Sequence, residues 1–88
     1  MKIKDGFVMR DVMGQSVVIA TGEASKTFSG MIKLNETGKI VWESISDGKS
    51  KDEIVKRIID EFEVDKARAE SGVNAFINNM VEKGFIEE

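Results

Sequence analysis

The chain has 88 residues, is 41% hydrophobic and 33% charged, carries a net charge of −3, and contains neither Cys nor His. Those absences exclude disulfides, thiolate and imidazole nucleophiles and most zinc sites, and no metal or cofactor is expected. No apolar run approaches the ~20 residues of a membrane span, and the opening MKIKDGFV is not of signal-peptide form; the expectation is a single soluble, cytoplasmic domain over 1–88.

The first third reads as β. Phe7 to Met13 is rich in strand formers, Gly14-Gln15 offers a turn, and Ser16 to Ala20 carries Val17-Val18-Ile19, which predicts a hairpin. Thr21 to Ser29 is small and polar and reads as a loop, pinned to the core by Phe28. Gly30 precedes a third short strand, Met31 to Leu34, with Ile32 and Leu34 on one face and Met31 and Lys33 on the other. The strands thus fall within about 6–34.

Three helices follow, over about 35–47, 50–62 and 65–84. Asn35 is placed to cap the first, whose apolar stripe is Val41, Trp42 and Ile45, and Asp47-Gly48 ends it. Ser50 with Glu53 forms a capping box ahead of Ile54, Val55, Ile58, Ile59 and Phe62. Asp65 caps the third, whose stripe is Ala69, Val73, Phe76, Ile77 and Met80. Gly84 sits where a C-terminal cap glycine belongs, so Phe85-Ile86 can fold back onto the core. The fold class is therefore α+β, winged-helix-like: a three-stranded antiparallel sheet followed by three helices. Such a sheet has free edges, and an unpaired edge can accept another extended chain.

The candidate chemistry is thin. Asp60, Glu61, Glu63 and Asp65 flank a helix junction and alternate with Phe62 and Val64, the pattern of a solvated connection rather than of a catalytic pair. Lys49, Lys51, Lys56 and Arg57 are interleaved with Asp52, Glu53 and Asp60, with i,i+4 spacings at Asp52–Lys56 and Glu53–Arg57. Trp42 shares the stripe of Val41 and Ile45, which favours core packing. No glycine pattern forms a phosphate loop. Residues 1–34 carry five basic and three acidic groups, net +2, whereas 35–88 carry eight and thirteen, net −5. A negative helical half weighs against nucleic acid, although a winged-helix DNA-binding regulator remains the alternative function. An enzyme is not expected.

LNETGKIVWE over 34–43, preceded by a short strand and followed by Asp47-Gly48, resembles the hallmark of the PqqD-like family. Glu53-Ile54-Val55, Phe62-Glu63-Val64-Asp65 and Glu82-Lys83-Gly84-Phe85-Ile86 match that family's later segments. The resemblance implies a RiPP recognition element, a peptide chaperone that captures the leader of a ribosomally made precursor peptide. It implies that the leader adds as a strand along Met31, Ile32, Lys33 and Leu34. It also implies a groove beside the third helix, placed here at Val73, Phe76, Ile77 and Met80. The implied partner is a radical S-adenosylmethionine enzyme; this chain, without cysteine, cannot hold such an enzyme's iron–sulfur cluster. Thr21 to Ser29 is longer than the tight turn of cofactor-pathway members, which points away from pyrroloquinoline quinone and toward another peptide pathway.

Overall fold

The computed structural model describes residues 1–26 and 30–88; the expected anchoring role of Phe28 lies outside the described residues. The elements in chain order are β1 (Lys2–Ile3), β2 (Phe7–Val12), β3 (Gln15–Ala20), a short 3-10 helix (Gly22–Lys26), β4 (Met31–Leu34), α1 (Glu36–Ser46), α2 (Lys51–Phe62), α3 (Lys66–Glu82) and β5 (Ile86–Glu87). The main sheet is antiparallel in the order β2-β3-β4, and β1 pairs antiparallel with β5 in a separate two-stranded ribbon. This is the expected α+β arrangement of three sheet strands before three helices. The additional ribbon and the 3-10 helix were not anticipated: a two-residue strand carries no periodic signal of its own.

The hairpin turns one residue earlier than its composition suggests. Met13 (φ 52°) and Gly14 (φ 82°) both take left-handed backbone, as a two-residue type I′ turn requires, so Gln15 belongs to β3 opposite Val12. Each face of the sheet follows from that register. Phe7, Met9, Val18, Ile32 and Leu34 face inward and join the core with Trp42, Ile54, Val73 and Ile77. The opposite face has two rows of three: Val8, Ile19 and Met31 in one, Arg10, Val17 and Lys33 in the next.

The helix starts lie where side chains satisfy the orphan N–H groups. The Gly38 N–H donates to Asn35 Oδ1 (2.8 Å) and the Arg68 N–H to Asp65 Oδ1 (2.7 Å). At Ser50 the box is reciprocal: the Glu53 N–H donates to Ser50 Oγ (3.2 Å) while the Ser50 N–H donates to Glu53 Oε1 (3.0 Å). Those Ser50 bonds hold the Glu53 carboxyl below its ordinary value. A depressed carboxylate contributes stability above its unfolded pKa and loses it as pH falls through the folded one. The start of α2 should accordingly fray first in an acid titration followed by amide resonances, and Ser50→Ala should cost about 1 kcal/mol in urea denaturation.

At the other end of α3, Gly84 (φ 82°) turns the chain back. The Phe85 N–H donates to the Met80 carbonyl (2.9 Å) and the Gly84 N–H to the Val81 carbonyl (3.0 Å), so the last carbonyls of the helix are satisfied. Phe85, only 1% exposed, then stacks obliquely on Phe7 with ring centroids 4.5 Å apart. The expected i,i+4 pairing of Arg57 with Glu53 gives way to a tertiary bond: Arg57 Nη1 donates to Ser44 Oγ (3.0 Å), which itself donates to the Ile40 carbonyl (2.7 Å). Ser44 is buried, and a buried hydroxyl that both donates and accepts removes the penalty an unpaired one would incur.

Candidate functional site: an open strand edge beside the third helix

Which backbone groups of β4 are free follows from the turn. In a two-residue hairpin the closing pair, here Val12 and Gln15, is hydrogen-bonded, and bonded and non-bonded pairs then alternate. On β3 the groups of Gln15, Val17 and Ile19 therefore point to β2, and those of Ser16 and Val18 point to β4. Their partners are Leu34 and Ile32. The N–H and C=O of Met31 and Lys33 consequently face away from the sheet, where no strand among the described residues pairs with them. Four aligned backbone groups stand ready for a fourth strand.

The opposite edge, along β2, is less open. By the same alternation Phe7, Met9 and Asp11 point their backbone outward. The Phe7 N–H already donates to the Lys4 carbonyl (3.3 Å), and Arg10 Nη1 donates to the Met9 carbonyl (3.2 Å). A charged side chain folded onto its own edge is a usual way of blunting it. The shallow concavity beside this edge, about 280 Å³, has Glu43 and Asp47 among its lining residues.

Along β4, Leu34 is buried, Ile32 is half-buried, and Lys33 and Met31 are exposed, Met31 by 54%. On α3, Val73 and Ile77 are fully buried and Met80 is 3% exposed. These three were expected to line the groove; they sit on the core side of the helix, where the cluster of Val41, Ile45 and Ile54 needs them. They support the wall from behind. Phe76 is half-buried and is the one expected α3 residue that can face a ligand. It lies over Gly38 in the first turn of α1, just past β4: a Cβ at Gly38 would stand 3.0 Å from Phe76 Cε2 and 3.2 Å from Asn35 Oδ1. Glycine at 38 is what lets the ring approach α1 this closely.

Helical spacing extends this flank. Arg68, Gly72, Phe76, Asn79 and Lys83 recur at i, i+4, i+8, i+11 and i+15, which places them on one stripe, and all but Phe76 are exposed. Gly72 is the informative member. It sits inside a 17-residue helix, where glycine costs up to about 1 kcal/mol relative to alanine, yet a Cβ there would meet nothing within 4 Å. The chain's own packing does not require it. Its signal in the sequence is an isolated glycine within a helical pattern, and helical spacing puts it one turn before Phe76 on the same stripe.

Other candidates resolve as surface or core. Trp42 is 2% exposed and packs in the core. Asp60, Glu61, Glu63 and Asp65 are all exposed, and among the described residues no three His, Cys, Asp or Glu side chains gather as a metal site would need. Among the same residues no helix is long and apolar enough to cross a membrane.

The described residues thus form a three-stranded antiparallel sheet with β4 at one edge, followed by three helices, with Phe76 of α3 lying over the first turn of α1. Residues 15–86 match the family described as coenzyme PQQ synthesis protein D (PqqD), and the chain belongs to that family. Two solved structures share the fold over nearly the whole chain. TbiB1 in complex with the TbiA(β) leader peptide is 25% identical, with a TM-score of 0.82 over 99% of this chain and 95% of that one. Lasso peptide synthetase B1 complexed with the leader peptide is 17% identical, with a TM-score of 0.81 over 99% and 96%. No curated protein matches by sequence.

Proposed function

We propose that this protein binds the leader segment of a ribosomally synthesised precursor peptide by strand addition to β4 and presents it to a modifying enzyme, a radical S-adenosylmethionine enzyme. The observation that carries the reading is the outward-facing backbone of Met31 and Lys33, with Phe76 over the first turn of α1 just past β4. The family, and the leader-bound state of the two structural neighbours, support it.

Magnitudes say what the leader must contain. Four backbone hydrogen bonds at about 1 kcal/mol net each give about 4 kcal/mol, whereas a micromolar complex requires about 8 kcal/mol. The remainder has to come from side chains. Burying one large apolar residue contributes about 1.5–3 kcal/mol, so the leader needs at least two such anchors before the cost of ordering it is met. On an added strand they lie two residues apart on the face that Ile32 shares, against Phe76 and the gap at Gly72. Of the expected site, Met31 and Lys33 act through their backbone and Ile32 and Phe76 through their side chains, with buried Leu34, Val73, Ile77 and Met80 fixing the strand and helix behind them.

Gly72 variants separate this role from folding. Gly72→Ala should raise stability by about 0.5–1 kcal/mol, because alanine is the better helix former and the space is open. Gly72→Leu should fold equally well yet weaken binding of the leader encoded beside the chain, read by fluorescence anisotropy. Leader affinity indifferent to leucine at 72 would place the peptide elsewhere.

A further inference from the structure

Met13 is disfavoured twice over. It is fully exposed although apolar, and it holds a left-handed backbone (φ 52°) that asparagine, aspartate or glycine adopts far more readily at this turn. Neither feature helps the isolated domain. Four large apolar side chains are strongly exposed among the described residues, and three of them, Val12, Met13 and Met31, lie on the outer face of the sheet or at its hairpin tip. Val17 is on this face too, buried but outside the main core, between Arg10 and Lys33 in the register. Among the described residues the three strands put no acidic side chain on this face, although the chain as a whole is at −3.

We propose that this outer face (Val12, Met13 and Met31, rimmed by Arg10 and Lys33, with buried Val17 beneath) is the docking surface for the enzyme that modifies the bound peptide. The occupant is a protein surface of apolar residues flanked by carboxylates. The inference rests on the leader-binding reading and extends it, since Met31 and Lys33 give their backbone to the edge and their side chains to this face. A peptide strand added at β4 would widen the same surface, so an enzyme seated there would touch carrier and peptide together.

Charge and area decide between occupants. A second copy of the chain would set cations against cations across a two-fold axis. The face spans about 20 Å by 14 Å at ordinary strand spacings, roughly 300 Å², against about 800 Å² per partner for a stable interface. Such a contact is transient alone and gains from a peptide that bridges both proteins, because the second contact then becomes intramolecular. Methionine suits it, being flexible and polarizable.

The test is the double variant Val12→Thr/Met13→Asn, assayed with the neighbouring modifying enzyme and leader-bearing precursor. Thermal unfolding should shift upward, because Asn accepts the turn geometry, and leader affinity should stay within about twofold of the parent. The enzyme's KM for carrier-bound precursor should rise at least about fivefold, since hot-spot contacts dominate small interfaces. An unchanged KM, or a parallel loss of leader affinity, overturns the proposal. So does a parent dimer in sedimentation that the variant dissolves, or binding to phosphatidylglycerol vesicles that the variant loses. If the parent fails to bind leader at all, the leader-binding reading falls, and enzyme–carrier association measured without peptide still judges the face.

Discussion

Lys33→Pro should reduce leader affinity by at least about tenfold, equivalent to 1.4 kcal/mol, while leaving the domain folded. Proline removes the N–H of residue 33 and puts ring carbons in its place. Register alternation directs that N–H away from β3, so no internal bond is lost, and proline is tolerated on a strand whose N–H faces solvent. An incoming strand loses one donor and meets a ring where it must approach. Ile32→Pro provides the contrast. Its N–H points to Val18 across the ladder, so the substitution should disrupt the sheet and lower the unfolding midpoint. Lys33→Ala, which keeps the N–H, should bind leader nearly as the parent does. Equal destabilisation by proline at 32 and 33 in thermal denaturation would show the alternation to be wrong.

Phe85→Ala should be the most destabilising single truncation outside the helices, at about 3–5 kcal/mol for a fully buried aromatic. Phe85 is 1% exposed and packs on Phe7. Its backbone closes α3 through Met80, and its carbonyl accepts from the Lys4 N–H (2.9 Å), next to the β1–β5 ribbon. This one residue therefore ties the hairpin through its ring and the chain start and the end of α3 through its backbone. A domain of this size has a total stability of about 4–13 kcal/mol, so the variant should unfold at much lower urea concentration, and part of it should be unfolded without denaturant. A loss below about 1 kcal/mol would mean that the C-terminal turn contributes little to the core.

Much of this was legible in the sequence, for identifiable reasons. All three helix starts, Asn35, Ser50 and Asp65, carry caps whose chemistry is local, and local signals survive folding unchanged. The alternation of Ile32 and Leu34 against Met31 and Lys33 fixed the faces of β4 before any partner was known. The hairpin missed by one residue because Met is a poor choice for a left-handed position, and turn chemistry alone favoured Gly14-Gln15. The groove was only half legible. Val73, Phe76, Ile77 and Met80 form one apolar stripe, and spacing cannot tell which member of a stripe faces the core and which faces a ligand. That depends on where β4 and α1 lie: Val73, Ile77 and Met80 are buried in the core, whereas Phe76 is half-buried and lies over Gly38. Gly72 carries no stronger signal in the sequence than an isolated glycine, and its open surroundings are visible only in the fold. Arg57 was read by sequence spacing, and the tertiary partner Ser44 won because it offers a buried acceptor.

The central claim, strand addition at β4, is tested most directly by backbone amide hydrogen exchange with and without the leader encoded beside this chain. In the free protein Met31 and Lys33 should exchange fast, and Ile32 and Leu34 slowly. Saturating leader should slow Met31 and Lys33 by at least about tenfold, as newly formed hydrogen bonds do, and leave Ile32 and Leu34 as they were. Protection appearing instead at Met9 and Asp11 on the β2 edge, or at neither edge once the peptide is bound, would contradict it.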